Sequence, residues 1–302
     1  MTGSLRDAWI IARYMLARSL RTRSALLLVA LFALVASGSA YGFTRILLVL
    51  ENQVARVLQV PQTETPGALM DAVKSDVDFL DMLRAMVGGD ELLLQWALDL
   101  PLLTVTHFWT GLGTLPFIAA AAGAEAVSSD IHDRSIRFEL VRAGRLEIVA
   151  GRFLGLALLL GVAVFGATVG VWAVAMFGMI NNPPLEQMTT LLSLSPRLWM
   201  WCLPFCGLGV AASQLTENVN LARLIALAAV AFTWIAYGVI EADVLEGWVL
   251  AVAQSAQVLL PQAWIGALWG PGWGWLTPAG VFVALACCAW SLGTPVMARR
   301  NL

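Results

Sequence analysis

SSDIHDRSIRFELVRAGRLEIVAGR, residues 128–152, sets Arg134, Arg137, Arg142, Arg145 and Arg152 among Asp130, Asp133, Glu139 and Glu147, between two long apolar runs. What flanks this segment decides whether it belongs to a soluble surface or joins membrane spans. Of 302 residues, 59% are hydrophobic and 13% charged, and the mean hydropathy is +0.78, far outside the range of soluble globular domains. The chain therefore reads as an all-α polytopic membrane protein. A formal net charge of −2 at pH 7 lacks the basic surface that nucleic acid requires, so no nucleic-acid partner is expected and the arginines act as topology markers. Cys202, Cys206, Cys287 and Cys288 all lie inside apolar runs, which indicates neither a disulfide framework nor paired zinc spacing.

A helical span needs about 20 apolar residues, and six stretches qualify: 24–50, 104–127, 148–180, 197–215, 221–240 and 276–297. The first ends in ASGSA (36–40), the small-residue pattern of a signal-peptide cleavage site. It is read here as a retained span. The run at 148–180 exceeds one bilayer thickness, which predicts a tilted or projecting helix with Arg152 snorkelling near a surface.

Loops that stay cytoplasmic collect arginine. With both termini cytoplasmic, thirteen of the 18 Lys+Arg fall inside, leaving Arg45, Arg56, Lys74, Arg84 and Arg197 outside. The segment 128–145 then becomes the intracellular loop between spans 2 and 3, and the acidic stretches 51–100 and 241–246 face outward. A multi-pass protein of the cell membrane, in a bacterium the inner membrane, is expected.

Four further pieces do not span. Residues 4–21 place Leu5, Trp9, Ala12, Leu16 and Leu20 on one helical face and Arg6, Arg13, Arg18 and Arg21 toward another, which suits an interfacial helix on the inner leaflet or a plain basic anchor. Ile10, Ile11 and Met15 fall outside that stripe. GALMDAVKSDVDFLDMLRAMVGG (67–89) predicts an amphipathic helix stopped by Gly88 and Gly89. DELLLQWALDLP (90–101) predicts a second, halted before Pro101. This insert, 51–103, caps the bundle, pairs with its own copy or meets an extracytoplasmic partner. The stretch 246–275 is apolar but broken by Pro261, Gly266, Gly270, Pro271, Gly272 and Gly274, and its Trp264, Trp269, Trp273 and Trp275 suit an interface. A re-entrant hairpin before span 6 is expected there; a seventh span would put Arg299 and Arg300 outside.

Within the charged loop, Ser128, Ser129 and Asp130 offer helix caps, and Asp130/Arg134 and Asp133/Arg137 are acid-before-base pairs four apart. A short helix ending at Gly144 is predicted. Ile131, Ile136, Phe138 and Leu140 would leave apolar positions exposed beside charges of both signs, as on a docking surface. A solvated, topology-setting loop would carry the same arginines.

RSIRFELVRAGRLEIVAGRFLG (134–155) resembles the segment of type-2 ABC exporter permeases in which "G-T-L-x-x-L-L" leads through "S-R-x-E-I" to "G-K" at the start of span 3. Ser135-Ile136-Arg137-Phe138 stands in the first part, Arg145-Leu146-Glu147-Ile148 in the second and Gly151-Arg152 in the last. Two features depart from the pattern: the proline before the S-R pair is absent, with a one-residue deletion, and Arg152 replaces lysine. The layout is similar too, down to the ending ARRNL against "R-R-D-L". The nearest branch is similar to the permeases of multicopper-enzyme maturation. The resemblance implies a permease subunit whose coupling helix, with Asp130, Asp133, Arg134, Arg137, Phe138, Arg142 and Arg145, sits in a cleft of a separate ABC ATPase subunit. It also implies a second permease copy or a paralogue, because six spans make half a transporter in that family.

Nucleotide would then be bound in trans. A P-loop needs a lysine between glycine and Ser/Thr, and the chain's lysine is Lys74, in AVKSD. No cofactor is expected on this chain, and ATP and Mg are expected on the partner ATPase. A membrane-embedded enzyme is disfavoured because His107, in VTHFWT, and His132, in DIHDR, lie outside any HExxH pattern. Cys202 and Cys206, four apart, could face a soft metal but fit helix packing better. An ion-coupled carrier would need charge buried mid-span, which the central stretches lack. Thr104, Thr106, His107, Thr110 and Thr114 on span 2 and Ser213 and Gln214 on span 4 form a weakly polar set, the expected substrate path. It suits lipid-like, peptide or polymer cargo, and force transmission without cargo would use the same parts.

Overall fold

The computed structural model describes residues 2–21, 23–86, 89–180, 183–242, 244, 246–270 and 272–299. Val87, Gly88, Pro271 and the last three residues of ARRNL therefore lie outside the described residues. The described chain is helical throughout, with no strand, and six helices are long and apolar enough to cross a membrane.

The first helix, α1 (Thr2–Arg21), is followed by α2 (Arg23–Leu58). At 1.5 Å per residue, the 36 residues of α2 reach about 54 Å, well beyond a hydrocarbon core of about 30 Å. Three short helices follow: α3 (Met70–Lys74), α4 (Val77–Met86) and α5 (Glu91–Asp99). The single amphipathic helix expected over 67–89 is thus two helices. Asp76 accepts from the Phe79 N–H and starts α4 afresh, and Lys74 at the end of α3 donates to the carbonyls of Leu98 and Leu100. Asp90 caps α5 through the N–H groups of Leu92 and Leu93. This insert is tied to α2 by Glu51, fully buried, whose carboxylate accepts from Gly67 at 2.9 Å and Leu69 at 3.2 Å. Gly67 has φ 107°, and its backbone lies against the Ile180 carbonyl, a place where only glycine fits.

The core is built from α6 (Leu102–Ala124), α9 (Arg145–Gly178) and α10 (Pro184–Leu215), with the small loop helices α7 (Ser128–His132) and α8 (Ile136–Leu140) between α6 and α9. Helix α10 is central, packing against α6, α9, α11 (Val219–Glu241) and α14 (Leu276–Ser291). Small residues let backbones meet, as in lipid-embedded bundles. A Cβ on Gly123 of α6 would stand 2.6 Å from the Cys206 carbonyl oxygen of α10, and one on Gly207 would stand 2.7 Å from that of Ala286 on α14. Buried Trp201 fills the centre, donating to the Leu112 carbonyl at 3.1 Å and meeting Phe205, Trp234 and Phe282 edge-on.

Helix α1 packs along α9. Ala8 and Ala12 are buried, while Leu5, Trp9 and Leu20 of the expected stripe are exposed. The contact instead uses Ile11 and Met15 against Gly151 and Gly155, which offer a flat backbone surface. Beyond α11 come α12 (Gly247–Gln257), a 3₁₀ turn (Pro261–Trp264) and α13 (Ile265–Trp269). Arg197 of α10 anchors this segment. Its guanidinium, 5% exposed, donates to the carbonyls of Leu268 and Gly270 at 2.8 Å and Trp269 at 3.2 Å, where cations suit a helix C-terminus. It lies over the rings of Trp96 and Trp275. The chain closes with α14 and α15 (Thr294–Arg299).

Candidate functional site

The 128–145 loop is built differently from the one helix that its spacing suggests. Arg134 adopts φ 57°, a left-handed conformation uncommon outside glycine, and divides the segment into α7 and α8. Ser128 and Ser129 do not cap a helix start; their hydroxyls return to the Ala124 and Glu125 carbonyls of the preceding turn. The Asp130/Arg134 and Asp133/Arg137 pairs are not formed among the described ion pairs.

The reason lies on α9. Arg152 is 4% exposed; it meets Asp130 at 2.6 Å, Glu139 at 2.7 Å and the Ala126 carbonyl at 2.5 Å. One planar guanidinium thus holds the end of α6, α7 and α8 together, a geometry suited to arginine's fork of donors. Asp130 also accepts from the Ser135 hydroxyl at 2.9 Å. The predicted snorkelling of Arg152 toward water is replaced by an internal clamp, because two carboxylates and a carbonyl are nearer than solvent.

Of the residues singled out in this loop, Asp130 faces the clamp, and Arg145 donates to the Met297 carbonyl of α15 at 3.0 Å. Asp133, Arg134, Arg137, Phe138 and Arg142 face outward. Ile131 and Ile136, expected on the exposed face, are buried, and the apolar apex is instead Phe138, 79% exposed, with Val141, 86% exposed. Sequence spacing missed Val141 and the clamp role of Glu139; both follow from the turn at Arg134, which re-aims every later side chain.

The residues of the expected substrate path are spread through the core. Thr104 accepts from Gln187 at 2.9 Å. His107 Nε2 lies 3.4 Å from the Thr168 hydroxyl, itself 2.7 Å from Ser195, forming a buried polar seam across α6, α9 and α10. Thr110 is half-buried, and its carbonyl accepts from Thr114 at 2.6 Å. Ser213 bonds the Val210 carbonyl, and Gln214 ties α10 to the Trp290 carbonyl of α14 at 2.9 Å. The bonds of Thr104, His107 and Gln214 tie helices together, while those of Thr114 and Ser213 stay within their own helices. Among the described residues no group of His, Cys, Asp and Glu could hold a metal ion.

Six apolar crossing helices, a tightly packed core and one clamped, charged loop at an end of the bundle define a polytopic helical membrane protein of the permease type. The model of the ABC-2 family transporter protein matches residues 9–268, and the chain belongs to that family. It is therefore a membrane permease component of an ABC transporter, the transmembrane and non-catalytic part. The match is to the family as a whole and does not distinguish the copper-enzyme-maturation branch within it. No curated protein matches the chain.

Proposed function

We propose that the 128–145 loop docks on a separate ATPase subunit and couples its ATP turnover to movement of the spans, for export of cargo or for force transmission across the membrane. The carrying observation is the division of labour within the loop. Phe138 and Val141 form an exposed apolar apex, Arg134, Arg137 and Arg142 are exposed in the same segment, and its base is held by the buried Arg152. A merely solvated loop has no need of a two-carboxylate clamp, whereas a lever does: motion at the apex must reach α9 without the loop bending.

In this reading ATP and Mg are bound by the partner, a second permease copy or a paralogue completes the transporter, and both termini lie in the cytoplasm of a cell whose inner membrane holds the spans. Helix α1 lies at the inner leaflet with exposed Trp9, Ile10 and Tyr14 toward lipid. The segment 246–275, held by Arg197, dips into the outer leaflet as a re-entrant hairpin, and the 51–103 insert presents a face to an extracytoplasmic partner.

The test is Asp133→Ala combined with Arg137→Ala, in the chain co-expressed with its ATPase subunit. Both side chains are exposed and outside the clamp, so folding is unaffected. Losing two interfacial charges weakens docking by about 1–3 kcal/mol, roughly fivefold to 150-fold in affinity. Recovery of the ATPase with the permease and its stimulated turnover both fall at equal membrane expression. Unchanged values in both would return the loop to a topology-setting role.

A further inference from the structure

A cavity of about 270 Å³ lies beside the clamp, between α1, the start of α2, the end of α6 and α9. Its lining is of two kinds. Leu28, Leu156 and Leu159 give it apolar surface, and Arg18, Asp130, Glu139 and Arg152 bring charge. Such a division matches the boundary between the acyl region and the headgroup layer.

The charges on the lining are not all paired. Glu125, also on the lining, is engaged by Arg223. Asp130 and Glu139 share the one guanidinium of Arg152, which leaves one unit of negative charge in excess. Arg18 is exposed to the cavity and has no ion pair or hydrogen bond among the described residues. An unengaged cation and an uncompensated carboxylate charge on the same lining are complementary to a zwitterion.

We propose that this cavity binds one phospholipid with an ammonium-bearing zwitterionic headgroup. Its phosphate pairs with Arg18, its ammonium donates to Asp130 or Glu139, and its chains leave past Leu28, Leu156 and Leu159. The volume accommodates the headgroup and glycerol, while the exposed Leu27 and Leu31 of α2 continue an apolar surface for the chains. A phosphatidylglycerol headgroup would bring only negative charge and leave the surplus carboxylate without a cation. A choline headgroup has no N–H to donate, so phosphatidylethanolamine is the favoured occupant. Which leaflet supplies the lipid rests on the orientation proposed above; binding itself does not, so the two fail separately. A lipid seated there braces α1 against the clamp and ties the loop to the membrane surface.

The test is native mass spectrometry of the full chain in mild detergent, with phosphatidylethanolamine, phosphatidylglycerol and phosphatidylcholine of identical chains added together. One phosphatidylethanolamine is retained per chain, about tenfold over either competitor. Arg18→Glu, or Arg18→Gln should the first variant lose monodispersity, reduces retention about tenfold. Arg6→Glu, on the same helix but outside the cavity lining, leaves it unchanged. Equal retention of the three lipids, preference for phosphatidylglycerol, or retention untouched by both Arg18 variants would overturn the proposal. Displacement of the lipid by equimolar glycerophosphoethanolamine would also overturn it, because the leucines of the lining would then contribute nothing.

Discussion

Replacing Arg152 by methionine is expected to release the 128–140 loop from α9 while leaving the six spans inserted. Removing one partner of a buried ion pair costs about 3–5 kcal/mol, because the remaining charge is left without compensation. The lower end applies here. Glu139 is 39% exposed and regains water readily, whereas Asp130, 17% exposed, does not. The Ala126 carbonyl also loses a donor. An opening free energy lowered by about 3 kcal/mol raises amide hydrogen exchange of 128–140 by roughly a hundredfold, with α9 itself little affected. Arg152→Lys keeps the charge but loses the fork and lands between the two. With the lever detached, the ATPase still binds at the apex, but its turnover no longer responds to the permease. Exchange rates equal to wild type would show that the clamp does not hold the loop.

A second large effect is expected at the crossing of α6 and α10. A Cβ on Gly209 would collide with the Ala120 carbonyl oxygen and stand 2.9 Å from the Gly123 Cα. These are backbone atoms, which cannot rotate away as a side-chain tip can. Overpacking usually costs about 1–3 kcal/mol. Here the helices must separate, which also breaks the nearby Trp201–Leu112 bond, so Gly209→Val sits at or above that upper figure. Loss of monodisperse protein in detergent, or a sharply lowered melting temperature, is the readout. Gly113→Val on α6 is the control, since nothing lies within 4 Å of its Cβ position. Equal behaviour of the two variants would contradict the close crossing.

These two sites show what the sequence makes legible and what it does not. The spans are readable because bilayer thickness imposes about 20 apolar residues on each, a constraint local to the stretch itself. The start of α10 escaped that reading. LEQMTTLLSLSPR looks like a polar connection, yet Pro184–Leu215 is one helix. Gln187 and Ser195 are buried against Thr104 and Thr168, partners 83 and 27 residues away, which no window of neighbours contains. Arg197 counts in the sequence as an exposed topology charge, and the structure buries it on a set of carbonyls. The loop tells the same story. Acid-before-base spacing describes an isolated helix, where such pairs contribute only about 0.2–0.5 kcal/mol. Arg152, supplied from another helix, outweighs them and sets the turn at Arg134. The chemical character of the site, arginine-rich with an apolar residue at Phe138, was legible from residue types alone. Its geometry was not, because the clamp that creates it is tertiary.

The central claim, that the apex of the 128–145 loop is the docking point for an ATPase on the cytoplasmic side, is tested most directly by labelling a cysteine at position 138. Phe138→Cys is placed in a chain whose exposed Cys287 and Cys288 are changed to serine, the buried Cys202 and Cys206 being shielded already. An impermeant maleimide is applied to intact cells, to inverted vesicles stripped of the ATPase subunit, and to the same vesicles after that subunit is returned. The account predicts no labelling in cells, full labelling in stripped vesicles, and protection of at least tenfold once the ATPase subunit rebinds. Labelling from outside the cell, or a rate in vesicles indifferent to the returned subunit, would contradict it.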